Sequence, residues 1–113
     1  MTHEMQHSFC FEAGHACLDI PGACSFPHGH SFLLIVRCKP QELQDEREAS
    51  IKIVQQMLHT SFNQKWLNDT LQNANPDLAY IANWTFNYLK DKISTLIEVQ
   101  LYTSPNHSVS IKI

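Results

Sequence analysis

The residues whose types and spacing suit chemistry are His15, Cys24, His28 and His30. Successive side chains of a β-strand point to opposite faces, so His28 and His30, two apart, project from one face toward one point. Gly29 leaves the other face clear. If the strand carrying His15 lies beside the strand that continues into Phe32, a third imidazole reaches the same point. Three neutral imidazoles leave one position of a tetrahedral zinc open, the pattern of a catalytic rather than a structural site. Cys24, four residues before His28 and separated from it by Pro27, then supplies a thiol near the metal. A His-x-His pair alone is weak evidence, because histidines are common at surfaces and strand ends. The longer string around the pair is more specific.

These side chains need a frame. Gln6 to Glu12 alternates, with Phe9 and Phe11 on one face, which predicts a first strand that delivers His15 just past its end. Cys17 to Pro27, with Pro21-Gly22 inside it, reads as a loop, and this loop carries Cys24. The apolar run within His28 to Lys39 predicts a second strand, antiparallel to the first and stopped by Pro40. Ile51, Val54, Met57, Leu58 and Phe62 recur at three- and four-residue spacings and predict a helix over roughly Gln44 to Phe62. A polar link, Asn63 to Asn75, leads to a second helix that Asn75 caps and Pro76 opens, with Leu78, Ile81, Ala82, Phe86 and Leu89 on its apolar face and Trp84 off that stripe.

Period two then returns. Ile97, Val99 and Leu101 face one way and Glu98, Gln100 and Tyr102 the other, before a turn at Ser104 to His107 and a last strand through Val109, Ile111 and Ile113. The fold class is α+β: a four-stranded antiparallel sheet with two helices on one face, in the order ββααββ. Exposed sheet edges invite pairing with another chain.

At 113 residues the chain reads as one domain, 1–113, and its 43% apolar content fits a globular protein. No run of about 18 apolar residues predicts a membrane span, and the first residues lack a secretory pattern, so the expected location is cytoplasmic. The four cysteines form no Cys-x-x-Cys pair, which disfavours a zinc ribbon or thioredoxin-like site, and reduced thiols are expected. A net charge of -3 with eight scattered Lys and Arg gives no basic stripe for nucleic acid.

Phe11 to His15 reads Phe-x-Ala-x-His, and Cys24 to Phe32 reads Cys-x-x-x-His-Gly-His-Ser-Phe. This string resembles the signature of the 6-pyruvoyl-tetrahydropterin synthase and 6-carboxytetrahydropterin synthase family, whose element order is also the one read above. The resemblance implies zinc on His15, His28 and His30. It implies lyase chemistry on 7,8-dihydroneopterin triphosphate or a related pterin, with Cys24 as the base. It also implies a tunnelling-type fold in which three subunits close their sheets into an oligomeric barrel, giving a homo-oligomer, a trimer or a hexamer of two stacked trimers.

Other positions depart from that family. Where it reads Leu-Asp-His-x-x-Leu-Asn, this chain has Asn63 and Gln64 for the Asp-His pair, and neither takes and returns a proton near neutral pH. Ala79 stands where the family often carries a glutamate. The family's pterin-gripping Glu-Thr is here Tyr102-Thr103, so these two are the substrate-binding candidates. Glu98, on the strand face of Tyr102, and His59, one helical turn before Asn63, are candidate helpers for Cys24. Two other readings stand beside the lyase. One is a family member of altered or lost catalysis that binds a pterin-like or other small ligand at the zinc pocket. The other is an assembly module with structural histidines.

Overall fold

The computed structural model describes residues 2–18 and 27–113. Alternation at period two extends further than expected in the first strand. β1 runs Met5–His15 and pairs antiparallel with β2, His28–Cys38, from Met5↔Cys38 to His15↔His28. His15 therefore closes the strand instead of following it. β3, Leu96–Ser104, pairs with β2, and β4, His107–Lys112, pairs with β3, giving the sheet order β1-β2-β3-β4.

The face of this sheet that carries Phe11, Phe32, Leu34, Val36, Val99 and Leu101 is buried. Against it lie α1, Gln44–Met57, and α3, Leu78–Lys90, which contribute Val54 and Met57 and the expected stripe of Leu78, Ile81, Ala82, Phe86 and Leu89. Apart from the Trp66 ring, which lies over Gly14, the opposite face has no layer over it among the described residues and is mostly polar.

Four local differences from the sequence reading have physical causes. The first helix continues past Met57 as a π-helical turn, Leu58–Phe62, in which the Asn63 N–H donates to the Leu58 carbonyl at 2.7 Å and Thr60 bonds back to Gln56. The wide turn seats Phe62 in the core and leaves His59 exposed. The polar link holds a short helix, α2, Leu67–Thr70, anchored by the buried Leu67 and Leu71. Asn75 does not cap the next helix: Asp77 does, its carboxylate accepting the Tyr80 N–H at 2.8 Å, which leaves Pro76 outside. In β3 the register shifts, with Arg37 opposite Glu98 and Cys38 opposite Leu96. The extra residue, Ile97, is half-exposed, and Leu96 takes its place in the core.

An aromatic stack joins the sheet to the helices. Phe11 lies on Phe32 at 4.8 Å between centroids and on Phe62 at 5.2 Å, and Phe62 meets Trp84 at 5.3 Å. Phe62 is fully buried. Truncating such a side chain costs about 3–5 kcal/mol, through lost burial and the cavity left behind. Phe62→Ala is expected to lower the unfolding free energy by that amount in urea titration, and a loss under about 1 kcal/mol would contradict this packing.

Candidate metal centre

At the end of the β1–β2 hairpin, strand alternation and antiparallel register bring three imidazoles together on the helix side of the sheet. His15 lies opposite His28 and Ala13 opposite His30. Ring centroids stand 4.4 Å apart for His15 and His28, 4.8 Å for His28 and His30, and 5.1 Å for His15 and His30. One nitrogen from each ring lies within 4.8 Å of the others. Phe32 closes the site from below, 5.5 Å from His30 and 6.2 Å from His15 between ring centroids.

His15 is the informative member. It is buried, and its Nδ1–H donates to the Pro76 carbonyl at 2.7 Å. A carbonyl only accepts, so the proton sits on Nδ1 and the Nε2 lone pair is left free. That Nε2 is a buried polar atom with no hydrogen-bond partner among the described residues. A buried acceptor left without a partner is costly, and an imidazole fixed through its other nitrogen by a backbone carbonyl is the usual arrangement of a metal ligand. Three neutral imidazole nitrogens suit a divalent zinc-type ion. The donor set fits one metal ion.

Burial, the largest cause, lowers the His15 pKa below the ordinary imidazole value of 6.5; the Pro76 hydrogen bond opposes it, the charge of His28 adds to it, and Asp77 opposes it. His30 is also lowered, by burial first and then by His15 and His28. Both rings are thereby held in the neutral form that binds metal.

The backbone around His15 is clamped from the helical side. Asn68 Oδ1 accepts the Ala16 N–H at 2.9 Å, while its Nδ2 donates to the Ala16 carbonyl at 2.8 Å and the Ala74 carbonyl at 3.3 Å. Asn63 and Gln64 extend the edge of β1. Asn63 Oδ1 accepts the Glu12 N–H at 3.1 Å, and the Gln64 N–H donates to the Glu12 carbonyl at 2.6 Å. At the positions of the expected proton-transfer pair, Asn63 thus spends its side chain on the β1 backbone and Gln64 its N–H. As parts of the site, the sequence reading missed Asn68 and Pro76, and the Asn that closes the Leu-Asp-His-x-x-Leu-Asn motif was the available signal for the first.

The other candidates are dispersed. Cys24 lies outside the described residues. Glu98 does not join the histidines within one chain: its carboxylate is held by Arg37 at 3.1 Å and by Lys112 at 4.0 Å. It sits across from Arg37, seven residues along β2 from His30 or about 23 Å, and on the other face. His59 faces a separate cleft bordered by Phe9, Cys10 and Asn63. Tyr102 and Thr103 line a cleft on the open sheet face with Leu33 and Pro105.

Two outcomes follow. As pH falls below 6.5, unfolded imidazoles take up protons that the folded His15 and His30 resist, so the metal-free chain is expected to lose stability from 6.5 downward until the folded rings protonate. Urea midpoints of chelator-stripped protein at successive pH values check this, and a midpoint that rises through that window would contradict it. Asn68→Ala is expected to cost about 1–3 kcal/mol and to weaken metal binding with the histidines intact. Zinc titration with a competing chelator reads the second effect.

A family model described as 6-pyruvoyl tetrahydropterin synthase matches residues 4–113. The chain superposes on the 6-pyruvoyl tetrahydropterin synthase of Caenorhabditis elegans with a TM-score of 0.83 at 16% identity, over 98% of this chain and 95% of that one. An uncharacterized protein from Wolinella succinogenes gives 0.76 at 13% identity over 97% of both chains. A Plasmodium vivax 6-pyruvoyltetrahydropterin synthase carrying a substituted catalytic residue gives 0.64 at 13% over 98% of both. These similarities speak for a common fold, and the family match spans nearly the whole sequence. The chain belongs to the 6-pyruvoyl tetrahydropterin synthase family.

Proposed function

We propose that this chain is a zinc-dependent lyase acting on 7,8-dihydroneopterin triphosphate or a closely related dihydropterin. The observation that carries this reading is the unpartnered, buried Nε2 of His15 beside His28 and His30. Zinc bound there supplies a Lewis acid for substrate hydroxyls. His15, His28 and His30 would hold the ion, Pro76 and Asn68 hold His15 and the backbone after it in place, and Phe32 packs beneath the rings of His15 and His30. Cys24 takes a carbon-bound proton from the substrate side chain as triphosphate leaves, and a cation beside the thiol would favour the thiolate this requires. Tyr102 and Thr103 contribute to substrate binding. The outer edge of β4, and that of β1 before Glu12, pair with no further strand among the described residues, which supports a homo-oligomer, trimeric or hexameric. No described helix is long and apolar enough to cross a membrane, which accords with a cytoplasmic enzyme.

A second reading is favoured by the engagement of Asn63 and Gln64 with the β1 backbone, which leaves no proton-transfer pair at those positions. On this reading the chain binds a pterin-like ligand at the metal pocket without consuming it. Incubating zinc-loaded protein with 7,8-dihydroneopterin triphosphate separates the two. The lyase reading expects triphosphate release well above that of Cys24→Ala. Tight binding of the pterin with no release beyond that control would establish the binding reading instead.

A further inference from the structure

The Pro76 carbonyl that fixes His15 has a second suitor. An α-helix bonds each N–H to the carbonyl four residues back, and the residue four beyond Pro76 is Tyr80. Were α3 to begin one residue earlier, the Tyr80 N–H would claim the acceptor that His15 uses. The Asp77 carboxylate prevents this by accepting the Tyr80 N–H itself, at 2.8 Å. The regular helical ladder then starts one step later, where the Ile81 N–H donates to the Asp77 carbonyl at 3.0 Å. The Pro76 carbonyl is left to His15 Nδ1, at 2.7 Å.

The link before α3 is pinned on both sides of Pro76. Upstream, the Ala74 carbonyl accepts the Leu18 N–H at 3.0 Å and Asn68 Nδ2 at 3.3 Å, and Asn73 Oδ1 accepts the Asn75 N–H at 2.6 Å. Downstream, the Asp77 N–H donates to the Asn75 carbonyl at 2.8 Å, closing a three-residue turn centred on Pro76 in which the Pro76 carbonyl takes no part. Asp77 thus holds the downstream side twice, through its N–H and through its carboxylate. Its side chain is exposed, yet its charge reaches the ring. Burial foremost opposes positive charge on His15, the Pro76 hydrogen bond favours it, His28 opposes it and Asp77 favours it. The same negative charge favours a divalent cation at the other ring nitrogen.

We infer that Asp77 is a positioning residue of the metal centre: by occupying the Tyr80 N–H it reserves the Pro76 carbonyl for His15, and by its charge it strengthens the hold on a cation. The inference rests on the reading that His15, His28 and His30 bind one ion, and adds that their affinity is set from the N-terminus of α3. The two effects are separable. Asp77→Asn keeps an acceptor for the Tyr80 N–H and loses the charge. Asp77→Ala and Asp77→Gly lose both, and glycine at a cap position costs the helix little. A cap that served the helix alone would change the unfolding free energy while leaving the His15 tautomer and the zinc affinity of the folded chain as they were.

Two measurements on the full chain test this. Zinc titration against a competing chelator is expected to give binding about 10-fold weaker in Asp77→Ala and Asp77→Gly. In Asp77→Asn it is expected to be about 2- to 5-fold weaker, a deficit that shrinks as salt is added. Proton–nitrogen NMR correlation spectra of the metal-free protein are expected to show His15 protonated on Nδ1 in the parent and in Asp77→Asn, and no longer held in that single tautomer in Asp77→Ala and Asp77→Gly. Should Asp77→Ala fail to fold, Asp77→Gly carries both readouts. Zinc affinity unchanged in the folded Ala and Gly variants, or a His15 tautomer unmoved in them, would overturn the inference while leaving the zinc reading standing. A parent that binds zinc no better than His15→Ala would overturn the zinc reading and this inference with it, so the parent titration tells the two failures apart.

Discussion

One lone pair organises the account of this protein. His15 is buried at the end of β1, donates its ring N–H to the Pro76 carbonyl, and leaves Nε2 beside two other imidazoles with no hydrogen-bond partner among the described residues. A fold tolerates an unmet buried acceptor when something outside the chain meets it. The surroundings hold that atom in place: Asn68 clamps the strand exit, Phe32 supports the rings of His15 and His30, and burial lowers the pKa of both.

The architecture that positions this lone pair is simple. A sheet buried on one face brings alternate residues of two adjacent strands to the same side, so the spacing of His28 and His30 and the pairing of His15 with His28 follow from register alone. The helices contribute less obvious constraints. Because Asp77 rather than Asn75 caps α3, Pro76 stays outside the helix with a carbonyl free to fix the His15 tautomer. The π-helical turn before Asn63 sets the chain that runs alongside β1 and bonds to Glu12.

How much of this was legible in the sequence depended on whether a feature was periodic. The alternation of β1 and β2, the apolar stripe of α3 and the histidine convergence are repeating patterns tied to burial and are found where the residues placed them, whereas Ile51 of the first helical stripe is only half-buried and stays outside the core. The choice of Asp77 over Asn75 was not legible, since either side chain can cap and only tertiary packing selects between them. Nor was the bulge at Ile97, where one apolar residue among several is displaced by a shift of register. Glu98 read as a possible partner of the site because it shares a strand face with Tyr102, yet Arg37 across the sheet claims its carboxylate.

The most direct test of the account is the metal content of the protein purified without added chelator, compared with that of His15→Ala, by mass spectrometry under native conditions. The account predicts one divalent ion per chain in the parent and none in the variant, with both folded. A parent chain that holds no more metal than His15→Ala, and whose unfolding is unchanged by added zinc, would contradict it.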